Sequence, residues 1–555
     1  MSDRTFATHQ IRRAVPAPTL WDFAALDTDA PVPARLPVPS AWELVPALHN
    51  YRGRAHYTTR IRCGGNIRLS FGGVSFRARV LLDGNEIAQH YGAFTAFETV
   101  VRHLPDGEHA LTVEVDNRFG EDSALHVPND YYSYGGITRP VVIEQLPDVF
   151  VERVGITTKR AADGWTADIS ANIRNLADED ASADVTLTLA GQTFTQTAHI
   201  PADSTAIIRI PDAHYADVTA WTPDTPALYA LRAEIREGNQ VLDDLIDRVG
   251  FREISISGMD LLLNGEKLRL MGFNRHEEYG AFGCAVPLQA MAQDILMMKD
   301  MGCNCVRTCH YPNAPRFLDL CDEMGLLVWE EAHARGLQEE QMRNPNFMPQ
   351  TRQCVREMVA QHRNHPSIFI WGCLNECADN CDYGADCYRE VYALLHDLDA
   401  SRPMTAALLE RPGSRVYGDS DVVSVNIYPQ WYHNTPVAES LAQKLKEIRE
   451  HGGAGKPVII SEIGAGGIYG YHDPLGESKW SEERQCTILR DQVEAVLKNP
   501  ACSGVFLWQF ADCRVTEEWA MHRPKTHNNK GVVDEYRRPK MSYAVVKELF
   551  QKQKG

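Results

Sequence analysis

The sequence predicts a multidomain protein of the β plus α/β class. Its expected parts are a jelly-roll-like β-sandwich, an immunoglobulin-like β-sandwich and a C-terminal (β/α)8 TIM barrel. The first reason is length, because 555 residues are too many for one ordinary hydrophobic core. The second is that short alternating runs and turn signals fill roughly the first 250 residues. The third is that strand-like apolar runs then alternate with amphipathic helical patterns up to the C-terminus.

Residues 1–148 are predicted to form the jelly-roll-like sandwich. Alternating apolar and polar runs occupy 54–62, 77–83 and 110–116. Turn signals separate them, including the Asp-Gly pairs at 83–84 and 106–107. Alternation of period two is typical of strands with one face in a core.

Residues 149–251 repeat this pattern and are predicted to form the immunoglobulin-like sandwich. Runs at 166–173, 183–189 and 228–235 alternate in the same way. The sequence Leu146-Pro147-Asp148 is the expected linker between the two sandwiches.

Residues 252–555 are predicted to form the barrel. Helical patterns such as 288–301 and 437–448 lie between eight apolar runs, predicted as strands at 268–275, 304–311, 326–333, 367–376, 405–410, 422–428, 457–464 and 504–512. A doubly wound open sheet is the alternative. It requires a glycine-rich first turn, and no G-x-G-x-x-G follows a strand here.

Composition narrows the choice of partners. The formal net charge of −18 argues against nucleic acid and against an anionic membrane surface. The N-terminus has no signal-peptide pattern, and no apolar stretch reaches the length of a membrane span. The fourteen cysteines contain no Cys-x-x-Cys pair and are spread through predicted core elements. We therefore expect reduced thiols and a cytoplasmic protein.

Two glutamates, Glu376 and Glu462, each close an apolar run predicted as a barrel strand. The strands of such a barrel all end on one face, which holds the chemistry of the fold. Two carboxylates on that face are the minimum requirement for cleaving a glycosidic bond. A single glutamate at a strand end is more often a structural ion-pair partner, but two in one barrel favour catalysis.

Four motifs carry a resemblance to a known family: Asn375-Glu376 after Trp371, Ser461-Glu462-Ile-Gly, Gly272-Phe-Asn-Arg-His-Glu and Arg307-Thr-Cys-His-Tyr-Pro. They resemble those of glycoside hydrolase family 2, whose layout of two sandwiches before a barrel is also similar. The resemblance implies that Glu376 is the acid/base, Glu462 the nucleophile and Asn375 a partner of the sugar 2-hydroxyl. It further implies that Tyr428 hydrogen-bonds Glu462 and that Trp508 forms the floor under the sugar.

The sequence Asn528-Asn529-Lys530-Gly531 resembles the Asn-x-Lys motif by which β-glucuronidases of that family hold the sugar carboxylate. Charge-assisted bonds from Asn528 and Lys530 would serve this purpose. The resemblance adds further sugar-binding residues: Asp130 for a ring hydroxyl, His310, Tyr428, Tyr432 and, for the carboxylate, Arg523. The segment 334–347 is shorter than the loop that many gut bacterial β-glucuronidases carry there, which implies a more open mouth.

The predicted function is a retaining exo-glycosidase that hydrolyses β-D-glucuronides by double displacement. Its expected partner is a small-molecule glucuronide or a uronic-acid-terminated saccharide, with a homo-oligomer as the expected assembly. A β-galacturonidase stays open, because Asn528 and Lys530 do not distinguish sugars that differ only at C4. Another β-glycosidase of the family, such as a β-galactosidase, and a non-catalytic carbohydrate-binding protein also stay open. No cofactor and no metal are expected, since H-E-x-x-H is missing from the sequence.

Overall fold

The computed structural model describes residues 3–553. Two β-rich regions precede a barrel of parallel strands, so the predicted fold class is confirmed. The domain boundaries at 148 and 251 stay predictions.

The first region is built on one antiparallel sheet of eight strands and a small two-stranded pair. Its strands are β1 (Ala14–Pro16), β2 (Leu20–Ala25), β3 (Arg35–Pro37), β4 (Arg54–Phe71), β5 (Val74–Ser75), β6 (Arg77–Leu82), β7 (Asn85–Tyr91), β8 (Phe97–Asp116), β9 (Gly136–Ile137) and β10 (Val141–Leu146).

The long strands β4 and β8 pair along their whole length, with register shifts around Gly65. The first half of β4 pairs with β2 and the second half with β10, so the two ends of β4 have different neighbouring strands. Side chains from both halves, including Tyr57 and Leu69, belong to one buried apolar cluster. Bulges bend long strands in this way and allow one sheet to enclose a core.

The second region is a sandwich of two antiparallel sheets in the orders β11-β12-β15 and β14-β13-β16-β17. Its strands are β11 (Val149–Ala161), β12 (Gly164–Asn175), β13 (Ala181–Leu189), β14 (Gln192–Ile200), β15 (Thr205–Tyr215), β16 (Tyr229–Glu237) and β17 (Gln240–Val249). Inward residues of the two sheets form one buried cluster, as the predicted alternation requires.

The third region begins with a three-stranded meander and continues into the barrel. Its strands are β18 (Ile254–Ser257), β19 (Asp260–Leu263), β20 (Glu266–Leu268), β21 (Leu270–Arg275), β22 (Cys305–Thr308), β23 (Leu327–Glu331), β24 (Ile368–Gly372), β25 (Met404–Thr405), β26 (Ala407–Leu408), β27 (Val423–Asn426), β28 (Val458–Ile463), β29 (Gly504–Leu507), β30 (Cys513–Arg514) and β31 (His527–Asn528). Its α-helices are α1 (Leu288–Asp300), α2 (Pro315–Met324), α3 (Glu339–Met342), α4 (Phe347–His362), α5 (Asp382–Leu398), α6 (Val437–Ile448), α7 (Glu482–Lys498), α8 (Glu517–Ala520) and α9 (Met541–Gln551).

The barrel sheet has the order β25-β24-β23-β22-β21-β29-β28-β27-β26. The fifth predicted strand is interrupted at Ala406, so β25 pairs with β24 on one side and β26 pairs with β27 on the other. This divided strand forms both edges of the sheet. Leu261 and Leu263 of the meander share a buried cluster with barrel residues such as Phe506, so the meander packs against the barrel interior.

Two expectations about the barrel were wrong in detail. In residues 3–553 no α-helix lies between β26 and β27, whereas the sequence predicted a helix after every strand. That connection contains Pro412-Gly413, and both residues disfavour a helix. The strands are also shorter than predicted, since the apolar runs continue past the last paired residue into buried loops.

All fourteen cysteines are free thiols in the structure, and most of them are buried. Among the described residues, no helix combines the length and the apolar character needed to cross a bilayer.

Candidate active site

The predicted acid/base, Glu376, does not end its strand as the sequence indicated. Strand β24 ends at Gly372, and Glu376 follows four residues later in a left-handed conformation with φ 51°. Such a conformation is uncommon for a residue other than glycine and is frequent at functional sites. The turn after β24, rather than the strand itself, therefore sets the direction of this side chain.

The predicted nucleophile, Glu462, lies within β28, one residue before its end. Its Oε1 accepts a hydrogen bond of 2.9 Å from Arg307 Nη1, and its Oε2 accepts one of 2.7 Å from the Tyr428 hydroxyl. Both donors stabilise the ionised carboxylate more than the protonated form. The Tyr428 contact is the one that the family resemblance implied.

Glu376 has different partners. Its Oε1 accepts 2.9 Å from Asn426 Nδ2, and Arg335 Nη2 lies 3.3 Å from its Oε2. Ser461, the neighbour of the other glutamate, donates 2.7 Å to Asn426 Oδ1. A chain of hydrogen bonds thus links the turn that carries Glu376 to strand β28.

Arg307 is the central cation of the site and is fully buried. Besides Glu462 it donates 2.7 Å to Asn375 Oδ1 and 2.9 Å to Glu331 Oε2. Glu331 also accepts from His310 Nδ1 at 3.0 Å if that nitrogen carries the proton. Arg307 and Glu331 are buried and take part in several hydrogen bonds. The side chains of Asn375 and His310, which bind to them, are therefore fixed in position.

The two predicted catalytic carboxyls are coupled. Burial and, to a smaller extent, the neighbouring Glu376 carboxylate raise the pKa of Glu462 to about 7 against the lowering effect of Arg307. Like charges in a buried site disfavour double ionisation, so the pair keeps one proton up to near-neutral pH. Arg307 and Tyr428 oppose this rise, because both donate hydrogen bonds that stabilise the carboxylate form of Glu462.

Three rings form one wall of the site. Trp508, which follows β29, stacks on His310 with ring centroids 5.1 Å apart. The His276 ring meets the same indole edge-on at 5.5 Å. Burial lowers the pKa of both imidazoles, to about 3 for His276, so they are neutral at physiological pH.

Asp130 reaches the barrel from the first sandwich, on the segment between β8 and β10. Its Oδ2 accepts 3.0 Å from Arg523 Nη2 and 3.2 Å from Asn528 Nδ2, and Arg335 Nη2 lies 3.2 Å from its Oδ1. Burial alone would raise the pKa of Asp130, but Arg335 and Arg523 hold it well below its usual range. The site therefore has contributions from two parts of the chain.

Lys530 is almost completely buried beside Asp130. Its ammonium donates 2.8 Å to the Tyr432 hydroxyl and forms no ion pair with any carboxylate in the described residues. Burial lowers the pKa of Lys530. Burial alone would raise the pKa of Tyr432, but the ammonium of Lys530 and the guanidinium of Arg523 hold it below its usual value.

The structure thus places all eleven predicted residues around one barrel mouth: Glu376, Glu462, Asn375, Asp130, His310, Tyr428, Tyr432, Trp508, Asn528, Lys530 and Arg523. Their roles stay predictions. Sequence reasoning missed five further residues of the site: His276, Arg307, Glu331, Arg335 and Asn426.

The five missed residues differ in whether the sequence contained a pattern that could have identified them. Arg307 and His276 lie inside motifs that carried the family resemblance, and Glu331 and Asn426 each end a barrel strand. Arg335 follows the third strand in a loop with no recognisable pattern. Only the tertiary contacts with Asp130 and Glu376 identify it.

Two groups of described residues bring three potential metal ligands together: His276, Cys309 and His310, and Asp319, Asp322 and His365. In the first group, burial raises the pKa of the Cys309 thiol well above its ordinary value, whereas a metal ligand has to be a thiolate. In the second, Arg4 pairs with Asp319 and His365 with Asp322.

Comparison with known families gives a clear result. Residues 254–554 match the family described as Glycosyl hydrolases family 2, TIM barrel domain. Residues 149–252 match a second part of the same family, Glycosyl hydrolases family 2. The chain belongs to glycosyl hydrolase family 2. The predicted class of enzyme, a glycosidase, is confirmed at the level of this family.

Three relatives illustrate the similarity. A family 2 β-galacturonidase from Eisenbergiella tayi, solved with galacturonate, is 46% identical, with a TM-score of 0.97 and 99% of both chains covered. A β-glucuronidase from Bifidobacterium dentium, solved with coumarin-3-O-glucuronide, is 26% identical, with a TM-score of 0.85 and 99% of both chains covered. A putative β-glucuronidase of Formosa agariphila is 28% identical over 88% of this chain, which spans 62% of that protein.

Proposed function

We propose that this protein is a retaining exo-β-uronidase, which releases a terminal hexuronic acid from a β-glycoside. The observation that carries the proposal is the buried Lys530, whose ammonium has a phenol but no carboxylate for a partner among the described residues, at the same mouth as the glutamate pair. A buried cation that makes no direct ion pair is costly unless an anion binds to it. The carboxylate of a uronic acid supplies that anion.

The two glutamates carry the reaction. The carboxylate form of Glu462, which Arg307 and Tyr428 stabilise by hydrogen bonds, attacks the anomeric carbon, while Glu376 gives its proton to the glycosidic oxygen. The bond to the leaving group breaks as the bond to Glu462 forms. Glu376, now a carboxylate, then takes a proton from a water molecule that displaces the sugar from Glu462.

Several buried polar atoms at the mouth have no hydrogen-bond partner among the described residues. They are His276 Nε2, His310 Nε2, Asn375 Nδ2 and Asn528 Oδ1. Buried polar atoms are normally hydrogen-bonded, so these are suited to bind sugar hydroxyls and the uronate. Asn375 is fixed by Arg307 with its amide nitrogen free, which supports its role as a donor to the 2-hydroxyl.

A β-galacturonide is the first candidate substrate and a β-glucuronide the second. The relative solved with galacturonate is 46% identical to this chain, against 26% for the relative solved with a glucuronide. The two sugars share the carboxylate and differ only at C4. Asp130 and Arg523 lie near Lys530, and we expect these polar groups to take part in distinguishing the two configurations.

A panel of p-nitrophenyl β-glycosides tests the proposal: galacturonide, glucuronide, galactoside and glucoside. We expect kcat/KM to be higher by about two orders of magnitude or more for at least one uronide than for its neutral counterpart. Sites that bind a polar group of the substrate discriminate at least this strongly against an analogue that lacks the group. Equal rates on galactoside and galacturonide would contradict it. No turnover of any member would favour a non-catalytic carbohydrate-binding protein.

A further inference from the structure

Lys530 lies among three aromatic rings. Its ammonium nitrogen is 5.1 Å from the ring centroid of Tyr432, 5.6 Å from that of Tyr428 and 5.9 Å from that of Trp431. All three distances fall within the range in which a ring face attracts a cation. The Tyr432 hydroxyl adds a hydrogen bond to the same nitrogen.

The three rings come from one turn that follows strand β27. The backbone nitrogens of Trp431 and Tyr432 both bond the carbonyl of Tyr428, which closes a tight turn in which Gln430 has a left-handed φ of 66°. This turn places the aromatic rings at 428, 431 and 432 around the Lys530 ammonium.

Within this aromatic group, the two tyrosines have other contacts with the site. Tyr428 bonds Glu462, and Tyr432 bonds both Lys530 and Arg523. Trp431 is different: it is buried, and its neighbours include Trp480, whose ring meets it edge-on with centroids 4.9 Å apart. The family resemblance gives Trp431 no sugar-binding role.

Lys530 needs such surroundings because it is buried with a phenol, rather than a carboxylate, as its described partner. A lysine side chain has four rotatable bonds, and an ammonium that is free to move loses entropy when it binds an anion. Ring faces lower the cost of burying the charge and restrict its position, yet they do not neutralise it as a carboxylate would. The ammonium therefore stays available to pair with the carboxylate of the substrate.

We propose that Trp431 is a positioning residue for carboxylate recognition. Together with Tyr428 and Tyr432 it forms an aromatic cage that holds the Lys530 ammonium where the sugar carboxylate binds. This inference rests on the proposed function, because it assumes that Lys530 binds a uronate. The new claim is that the affinity for the uronate depends on the ring face of Trp431, which acts through Lys530.

The first test compares Trp431→Leu, Trp431→Phe and wild type on the 2,4-dinitrophenyl uronide that the wild type prefers and on the matching neutral glycoside. The good leaving group keeps slow turnover of the neutral sugar measurable. For Trp431→Leu we expect KM for the uronide to rise about tenfold, with a smaller change in kcat and little change on the neutral sugar. Trp431→Phe keeps a ring face and should recover most of the loss.

Lys479 provides a matched control, because its ammonium lies 4.7 Å from the same indole but its side chain is exposed. Lys479→Met should leave the ratio of uronide to neutral activity unchanged. A change equal to that of Trp431→Leu would mean that Trp431 acts through Lys479, and the cage would be rejected.

A second test keeps the shape of the side chain. Fluorinated tryptophans placed at position 431 weaken the negative ring face with each added fluorine while the indole packing is retained. We expect log KM for the uronide to rise with the number of fluorines and to stay flat for the neutral sugar. A flat response on both sugars would overturn the cage, even if Trp431→Leu failed to fold.

These outcomes separate the cage from the proposed function. A wild type without preference for uronides, together with no effect of Lys530→Ala, would refute the uronidase and the cage with it. A wild type that prefers uronides and loses that preference in Lys530→Ala, but not in the fluorinated series, would refute the cage alone.

Discussion

At the scale of single residues, the two glutamates differ mainly in their hydrogen-bond donors. Glu462 accepts hydrogen bonds from Arg307 and Tyr428. Glu376 accepts one from the amide of Asn426 and has the more distant Arg335 as its ion-pair partner. A guanidinium at 2.9 Å favours the ionised form more than a neutral amide does. Identical side chains therefore acquire different proposed tasks from their surroundings.

Glu462→Gln should abolish turnover of every substrate, because an amide does not attack the anomeric carbon. Glu376→Gln should slow substrates with poor leaving groups most, since a good leaving group needs little protonation. The measurement is kcat/KM over a series of aryl uronides of increasing leaving-group pKa, with the exposed Glu340→Gln as control. An equal loss on all leaving groups, with no rescue by azide, would contradict the assignment.

Lys530→Ala should lower kcat/KM on a uronide by about a hundredfold or more, or about 3 kcal/mol. This is the scale for removing one partner of a desolvated charge pair. Activity on the matching neutral glycoside should be unchanged or slightly higher, because the unpaired buried cation is gone. Lys525→Ala, an exposed lysine of the same loop, should change either activity by less than about 0.5 kcal/mol. Comparable losses on both sugars would indicate a damaged pocket instead.

The pH dependence of kcat/KM should be bell-shaped, with an optimum near neutral pH. On the acidic side the rate falls as Glu462 becomes protonated, in keeping with the pKa of about 7 that burial and Glu376 produce. On the alkaline side it falls as the pair loses its last proton. Glu376→Gln should remove the alkaline limb. A wild-type rate that stays constant to strongly alkaline pH would exclude a protonated Glu376.

At the scale of elements, the segment between β8 and β10 connects the first sandwich to the barrel mouth. Gly135 in this segment donates to the buried carboxyl of Glu43 at 2.9 Å. A methyl group on Gly135 would lie 2.2 Å from the Trp42 indole, so only glycine fits there. The position of Asp130 therefore depends on packing within the first sandwich.

Gly135→Ala should lower the free energy of unfolding by about 1–3 kcal/mol, as expected for overpacking, and should also reduce kcat/KM. Activity falls because the displaced segment moves Asp130 away from Arg523 and Asn528. Gly107→Ala is the matched control, since its new methyl group would have its nearest neighbour at 3.9 Å. Urea unfolding and kinetics on the preferred uronide measure both effects. Full activity in Gly135→Ala would show that the segment tolerates the shift.

At the scale of the whole molecule, buried carboxyls and histidines make stability depend on pH in opposite directions. Burial raises the pKa of Glu43 to about 8 and of Asp512 to about 7, so these groups hold protons in the native state that the unfolded chain releases. Their contribution is present at low pH and is lost as pH rises from about 4.5 to about 8. Burial lowers the pKa of His333 to about 4, and its contribution is lost as pH falls below about 6.5.

Above about pH 6.5 the contribution of His333 is constant while those of Glu43 and Asp512 continue to fall, so stability should decline as the pH rises from about 6.5 to about 8. Glu43→Gln removes one of the groups responsible. Between pH 6 and 8 the free energy of unfolding of wild type should fall relative to this variant by up to about 1.4 kcal/mol per pH unit. Urea unfolding of both proteins at several pH values measures the difference. Parallel curves would mean that Glu43 is ionised in the native state.

The sequence by itself determined the order of the three parts and the eight barrel strands, because strand alternation and helical periodicity are local signals. The eleven candidate residues came from the resemblance to family 2, which was visible because the motifs around Glu376, Glu462 and Lys530 are contiguous. Strand ends and the missing helix before β27 were less predictable. Apolar runs continue beyond the last paired residue, so their length does not report where a ladder stops.

Only the tertiary structure decided which charges meet. Arg307 binds Glu462 and Glu331 of two separate strands and Asn375 of the turn after β24, and Arg335 joins Asp130 of the first sandwich to Glu376. The same holds for the rings around Lys530, about a hundred residues away in the chain. Contacts between distant segments depend on how the barrel closes and how the sandwich packs on it, and no local pattern in the sequence encodes these distances.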